Sequence, residues 1–230
     1  MDLTVRDVAK LLGVSEKTVY RWLKERRIPA YRLQEQYRFN RAEILEWATS
    51  QRLPIAPELL PQTPAGQAPP ELAAALQQGG IHYRLQGEDK AAVLRQLVEV
   101  TRLPAGLSRD FVLELLLARE AMQSTAVGDG VALPHPRSPL LSPGSPPQVT
   151  LAFLENPVDF GALDGKPVFA LFSVLAPTIA AHLQLLARIA FALRDQEFYR
   201  LILEQAGRQE ILAAAAQLDK RFSAKNGVSR

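Results

Sequence analysis

The residues best placed for chemistry form the segment Gly-Asp-Gly-Val-Ala-Leu-Pro-His-Pro at positions 128–136. A glycine pair leads into a short predicted strand, and the strand delivers His135 between two prolines. Position 133 is leucine, so the segment lacks the third glycine of a dinucleotide-binding GxGxxG motif. A neutral imidazole is a competent nucleophile near neutral pH. From these residues alone, His135 is either aimed at a ligand or caps a turn in a proline-rich loop.

The cysteine and histidine content narrows this chemistry. The 230 residues include no cysteine, which excludes disulfides, thiolate catalysis and cysteine-based metal sites. The other two histidines, His82 and His182, show no metal-ligand spacing such as HxxxH, so we expect no metal site. His82 lies outside the motif, and we expect it at the surface or at a strand edge.

Charge and hydropathy indicate where the protein works. The chain holds 27 Lys and Arg against 24 Asp and Glu, and the net charge of +3 is a weak sign of an anionic partner. The acidic opening is unlike a signal peptide, and no apolar run approaches the roughly 20 residues of a membrane span. We therefore expect a cytoplasmic protein without membrane insertion.

The charge excess belongs to one end of the chain. Residues 1–50 carry ten Lys and Arg and seven Asp and Glu, whereas the remainder is balanced. Residues 51–70 hold six prolines and no hydrophobic period, which is typical of a semi-extended linker. We predict a basic domain at 1–50, a linker at 51–70 and a second domain at 71–230.

The basic domain has two helix signals separated by a tight turn. Thr4 and Asp7 form a capping box for a helix over 5–12, which Gly13 ends. Ser15 caps a second helix, and this order is the helix-turn-helix signature. The exposed face of the second helix offers groups that reach phosphates and base edges. These groups are Lys17, Thr18, Arg21 and Lys24.

After Pro29, apolar residues alternate with Arg32 and Arg38. This alternation predicts a hairpin that turns near residues 34–36. The apolar residues are Tyr31, Leu33, Tyr37 and Phe39. Asn40 then opens a third helix, which is expected to bury Ile44, Leu45 and Trp47. A solvated helical hairpin with ordinary surface lysines is the alternative that charge alone allows.

The sequence TVRDVAKLLGVSEKTVYRWLKERRIPAYRLQEQYRFNRAEILEW resembles the excisionase/MerR-type winged helix-turn-helix DNA-binding domain. The resemblance implies that the helix at 16–27 is the recognition helix and that the hairpin with Arg32 and Arg38 is the wing. The family often has glycines at the wing turn, where this chain has Gln34-Glu35, so we expect a different loop shape. Such modules usually bind DNA as dimers or in tandem, which implies DNA as a partner and a possible homodimer.

From residue 71 onward, strand patterns alternate with helix patterns. The predicted strands lie at 81–85, 131–133, 148–154 and 168–176, and the predicted helices at 91–98, 108–122, 182–194, 197–206 and 208–218. We therefore predict an α/β protein, with a small winged helix-turn-helix domain followed by a mixed-sheet α/β sandwich.

The segment LLLAREAMQSTAVGDGVALPHPR and the later helix AAHLQLLARIAFAL are similar to the phosphorylation-site region of type-2 enzyme IIA domains. These belong to the phosphoenolpyruvate-dependent phosphotransferase system, in its fructose, mannitol and nitrogen-regulatory group. The resemblance implies His135 as phosphoryl acceptor, supported by Arg119 and His182. It also implies no cofactor other than the phosphoryl group, which a histidine phosphocarrier protein passes on from phosphoenolpyruvate. Arginine donors suit phosphate oxygens, and a histidine near a helix start adds another donor.

Three functions stay open. The first is a DNA-binding regulator that is phosphorylated on His135. The second is a transport phosphocarrier, whose acceptor must be a permease or another separate protein because this chain has no enzyme IIB cysteine. In both, the chain is a phosphohistidine phosphotransferase. The third is a non-phosphorylated protein-binding scaffold, because Pro136 stands where the family usually has a small residue and removes a backbone N–H beside the histidine.

Overall fold

The computed structural model describes residues 2–33, 35–51, 53, 60–61 and 68–225. The N-terminal elements are β1 (Asp2–Leu3), α1 (Val5–Leu11), α2 (Glu16–Lys24), β2 (Tyr31–Leu33), β3 (Gln36–Asn40) and α3 (Arg41–Ser50). The expected turn residue Gln34 and most of the expected linker at 51–70 lie outside the described residues.

Local capping explains where the N-terminal helices begin. The Thr4 hydroxyl accepts a hydrogen bond from the Asp7 amide at 3.3 Å, and the Asp7 carboxylate accepts one from the Thr4 amide at 3.0 Å. Ser15 and Asn40 cap α2 and α3 in the same way with their side-chain oxygens. The capping box and the three helix starts are therefore confirmed.

The N-terminal sheet is antiparallel with strand order β1-β3-β2, and it includes β1, which the sequence did not indicate. Helices α2 and α3 pack against each other through the Trp22 and Trp47 rings, whose centroids lie 5.1 Å apart in an edge-on arrangement. Phe39, Ile44 and Leu45 are buried in the same core, as expected.

One expectation for this domain is wrong. The second helix ends at Lys24 rather than 27, because Arg26 has a φ of +53°, which a right-handed helix cannot accommodate. In the predicted hairpin, Tyr31 and Leu33 are 40% and 54% exposed, because β2 lies at the edge of the sheet.

The C-terminal elements are more numerous. They are α4 (Leu72–Gly79), β4 (Ile81–Leu85), α5 (Lys90–Val100), α6 (Arg109–Met122), β5 (Ala126–Gly128), β6 (Val131–Ala132), β7 (Gln148–Val158), β8 (Val168–Leu175), α7 (Ile179–Leu193), α8 (Gln196–Leu203) and α9 (Arg208–Lys225). The last three helices differ by several residues from their expected bounds, and α4 and β5 were not expected.

Five strands form one mixed sheet with the order β4-β7-β8-β6-β5. Parallel pairs join β4 to β7 and β6 to β8, and antiparallel pairs join β7 to β8 and β5 to β6. Side chains alternate along β7, so Leu151 and Phe153 enter one buried cluster while Ala152 and Leu154 enter another. Helices α4, α7, α8 and α9 contribute to the first cluster and α5 and α6 to the second, which confirms the α/β sandwich.

A tertiary contact replaces a missing cap on α4. Glu71 provides no side-chain cap, and the Asp219 carboxylate of α9 instead accepts hydrogen bonds from the Leu72 and Ala73 amides, each at 2.9 Å. Arg188 of α7 donates to the same carboxylate at 2.7 Å. This buried group joins α4, α7 and α9. Among the described residues, no helix is both long and apolar enough to cross a membrane.

Candidate functional site

The structure brings the two predicted site histidines together. His135 follows β6, and His182 lies one turn into α7; their ring centroids are 5.0 Å apart. Both side chains are buried, with 4% and 6% of each residue exposed. Residues 47 positions apart in the chain therefore form one site, which no local spacing could indicate.

Backbone contacts fix how His135 is presented. Its Nδ1 lies 2.6 Å from the Leu133 carbonyl oxygen, and a carbonyl only accepts, so Nδ1 carries the proton. In the neutral ring, the lone pair is then on Nε2. The Pro134 carbonyl accepts a hydrogen bond from the Val174 amide of β8, which ties this segment to the middle of the sheet. The residues that follow β6 thus hold the imidazole with Nδ1 toward the Leu133 carbonyl and Nε2 pointing away from it.

Arg119 lies in the last turn of α6, and its guanidinium serves two purposes. Nη1 donates to the carbonyl of Gln123, the residue that ends α6, at 2.9 Å. Nη2 lies 3.4 Å from a carboxylate oxygen of Glu46. Arg119 therefore both caps the C-terminal end of α6 and contacts the site.

Glu46 is the site residue that the sequence did not reveal. It is on α3 of the N-terminal domain, and its Oε2 lies 3.5 Å from His135 Nε2 as well as 3.4 Å from Arg119. Its side chain is only 12% exposed. Nothing in the local pattern around residue 46 points to a partner in the other domain, because the docking of α3 decides which groups it meets.

Burial and neighbouring charges set the protonation of the site. Burial alone would raise the pKa of Glu46, but its interactions with His135 and Arg119 outweigh burial and lower this pKa. Glu46 is therefore a carboxylate. Burial, aided by His135, lowers the pKa of His182 to about 3, so its imidazole is neutral. The Nε2 atoms of His135 and His182 are buried and, within the described part of the chain, make no hydrogen bond.

The side chains of Glu46, His135 and His182 are of types that bind cations. Ligand atoms of Glu46, His135 and His182 lie within 4.8 Å of one another, and two imidazoles with a carboxylate are zinc-type ligands. Arg119, however, contacts the same carboxylate oxygen and adds a positive charge, which opposes a divalent cation. Without Glu46, the site is an arginine and two imidazoles, and this composition suits an anion.

A cleft of about 250 Å³ lies at this contact between the two domains. Glu46, Trp47 and Pro29 line it from the N-terminal domain, and His135 and Arg119 from the sandwich. At its edge, Arg137 Nη2 lies 3.1 Å from Glu43 Oε1 in a half-exposed ion pair. Arg137 is therefore directed at α3 in this arrangement.

The six basic and polar residues expected to contact DNA lie on the N-terminal domain in two settings. Lys17, Arg21 and Lys24 are exposed on α2, as is Arg32 on β2. Thr18 is half-buried, with Oγ1 3.0 Å from Ser15 Oγ. Arg38 is also half-buried and donates to the Tyr37 carbonyl and the Gln36 side chain. The α2 face is therefore open to solvent while α3 covers His135.

Two regions of the chain match known families. Residues 75–217 match the family described as "Phosphoenolpyruvate-dependent sugar phosphotransferase system, EIIA 2", and residues 3–52 match a helix-turn-helix domain.

Individual relatives agree with the first match. The nitrogen regulatory protein of Pseudomonas aeruginosa is 38% identical over 144 residues, covering 61% of this chain and 91% of that protein. Its counterpart in Bradyrhizobium diazoefficiens is 37% identical over 134 residues, covering 57% and 86%. The crystal structure of nitrogen regulatory protein IIA-Ntr from Neisseria meningitidis aligns with a TM-score of 0.52 at 26% identity, over 59% of this chain and 92% of that chain.

Proposed function

The chain belongs to the EIIA 2 family of the phosphoenolpyruvate-dependent sugar phosphotransferase system, and it begins with a helix-turn-helix domain. From this premise we propose that it is a cytoplasmic DNA-binding regulator that accepts a phosphoryl group on His135 from a histidine phosphocarrier protein. The observation that carries the proposal is the convergence of His135, His182 and Arg119 at one buried point. The similarity to nitrogen regulatory proteins favours regulation over sugar transport.

The transfer step uses the unprotonated nitrogen of His135. The Nε2 lone pair attacks the phosphorus of the donor's phosphohistidine, and the new P–N bond forms as the donor's P–N bond breaks. The electron pair of the broken bond returns to the donor's imidazole. The ring of His135 gains positive charge, which the Leu133 carbonyl stabilises by accepting from Nδ1–H. Arg119 neutralises the phosphoryl oxygens, because phosphoryl transfer depends mainly on positioning and charge.

DNA binding is assigned to the N-terminal domain as an excisionase/MerR-type winged module. In this proposal, α2 enters the major groove with Lys17, Arg21 and Lys24, and the β2–β3 hairpin is the wing with Arg32. One module buries limited DNA surface, so the proposal includes a homodimer on two half-sites.

The phosphorylation test is an intact-mass measurement after incubation with phosphoenolpyruvate, enzyme I and a histidine phosphocarrier protein. We expect one added phosphoryl group on the wild type, none on His135→Ala, and one on the matched control His82→Ala. An unlabelled wild type would overturn the proposal. Labelling that appears only in Pro136→Gly would instead support the scaffold function, because proline then blocks the site.

DNA binding is tested with a mixed-sequence duplex over a range of salt concentrations. Arg21→Ala with Lys24→Ala should weaken binding and reduce the slope of log K against log salt by about 0.9 for each phosphate that the variant no longer neutralises. The control, Arg95→Ala with Lys220→Ala, removes the same charge from exposed positions of the sandwich and should change little. Equal binding by the two double variants would remove the assignment to α2.

A further inference from the structure

We propose that Glu46 is an internal ligand of the phosphoryl site, so that docking of α3 and phosphorylation of His135 exclude each other. This inference rests on the proposed function and specifies how the same site is regulated. In the unphosphorylated chain, the helix-turn-helix domain covers the acceptor. Phosphorylation expels α3 and frees the DNA-binding domain from the sandwich.

The charge arrangement supports this role for Glu46. One oxygen, Oε2, contacts both Arg119 and His135, the two groups that a phosphoryl oxygen would contact. The neighbouring positive and polar groups keep Glu46 ionised in spite of its burial. The Glu46 carboxylate thus supplies the negative charge that the Arg119 guanidinium attracts, at the place where a phosphoryl oxygen would lie.

The docked arrangement also closes the acceptor to a donor. His135 Nε2 is buried and faces Glu46 Oε2 at 3.5 Å, which leaves no room for a tetrahedral phosphoryl group between the two atoms. Attack on phosphorus requires the donor in line with the Nε2 lone pair, and α3 lies on that approach. A phosphoryl group on Nε2 would place about two negative charges against the Glu46 carboxylate, which drives the two apart.

Apolar contacts show that docking is a defined state of the chain. Leu183 and Ala187 of α7 and Phe222 of α9 belong to the same buried cluster as the helix-turn-helix core. Leu60, from the segment expected to be a linker, is buried in this cluster, and the Gln184 side chain donates to the Pro61 carbonyl at 2.6 Å. The contact with His135 is therefore held by packing as well as by charge.

The exclusion must act in both directions. A ligand that binds only one of two states shifts the equilibrium toward that state, and the coupling between two sites is reciprocal. Phosphorylation lowers the equilibrium constant for docking of α3. Docking lowers the affinity of the site for the phosphoryl group by the same factor. Because α2 is exposed in the docked form, release changes how the DNA-binding domain is held rather than whether its face is open.

The test compares phosphorylation rates of full-length variants with phosphoramidate, a small donor that needs no matching carrier protein. Glu46→Gln removes the charge, and its matched control Glu43→Gln removes the same charge on the same helix from the half-exposed pair with Arg137. His135→Ala gives the background of labelling elsewhere. Retention of DNA binding shows that the helix-turn-helix domain, which carries both glutamate substitutions, is folded in each variant.

We expect Glu46→Gln to be labelled roughly 5- to 150-fold faster than the wild type, the usual range of coupling between sites, and Glu43→Gln to stay near the wild-type rate. Glu46→Ala should match Glu46→Gln. Equal rates for the wild type and both Glu46 variants would overturn the inference while the proposed function stands. Labelling of His135 in none of the chains would overturn the proposed function, and the inference with it.

Discussion

At the residue scale, one carboxylate oxygen of Glu46 organises the whole site. It lies 3.4 Å from Arg119 and 3.5 Å from His135, and the ring centroids of His135 and His182 lie 5.0 Å apart. The family motifs indicated His135, Arg119 and His182, because those residues lie in segments whose order and spacing are characteristic, and their roles in phosphoryl transfer stay a prediction. Glu46 could not be predicted, because its partners depend on how α3 docks and not on the residues beside it in the chain.

The burial of neutral His182 predicts a pH dependence of stability. Its pKa of about 3 in the folded chain lies below the ordinary value of 6.5, so the unfolded chain binds the proton more strongly. Stability is then fully present above pH 6.5 and is lost as the pH falls toward 3, by at most about 1.4 kcal/mol per pH unit. The groups facing the ring are His135, Glu46 and Arg119.

Urea denaturation between pH 7 and pH 4 measures this dependence. The free energy of unfolding of His182→Gln should change less steeply with pH than that of the wild type. The difference in slope should correspond to at most one bound proton. His82→Gln is the comparison variant. Partial burial also lowers the pKa of His82, but His82 is less buried than His182. This variant should therefore remove a smaller part of the pH dependence of stability. A His182→Gln profile parallel to that of the wild type would contradict the neutral, buried assignment.

At the element scale, the β5–β6 hairpin places His135. Gly130, with a φ of +74°, makes the turn, and its carbonyl accepts hydrogen bonds from the Phe169 and Ala170 amides of β8. The glycine pair in the sequence indicated a turn before a strand, but not β5, because a three-residue strand has too short a pattern to recognise. The second helix is likewise shorter than the resemblance implied, because Arg26 has a positive φ.

A glycine substitution tests this hairpin. A Cβ at Gly130 would lie 2.5 Å from the Phe169 ring, whereas a Cβ at Gly144, where φ is also positive, would meet nothing within 4 Å. Both alanine variants carry backbone strain, but only Gly130→Ala also displaces Phe169. We expect Gly130→Ala to lower the free energy of unfolding by roughly 1–3 kcal/mol more than Gly144→Ala, measured by urea denaturation. Equal losses would show that Phe169 is not a constraint on this turn.

At the scale of the whole molecule, the sequence predicted two kinds of domain but not their contact. The basic N-terminal segment and the alternating strands and helices after residue 71 identify the two folds, because capping and hydrophobic period are local properties. The docking of α3 on the sandwich depends on Leu183, Ala187 and Phe222 as surface partners. These residues carry the same apolar signal as any core position, so periodicity could not distinguish them.

The distance between the two domains shows directly whether phosphorylation of His135 releases the helix-turn-helix domain. Because the chain has no cysteine, Arg6→Cys and Leu163→Cys, both at exposed positions, accept a pair of fluorescent dyes without other labelling. Energy transfer between the dyes should change when the chain is phosphorylated and stay constant when His135→Ala is treated in the same way. Glu46→Gln should shift toward the changed value before any phosphorylation, because it removes the charge that helps to hold α3 in place. Unaltered energy transfer in a chain that carries one phosphoryl group by intact mass, under conditions that leave His135→Ala unlabelled, would contradict this release.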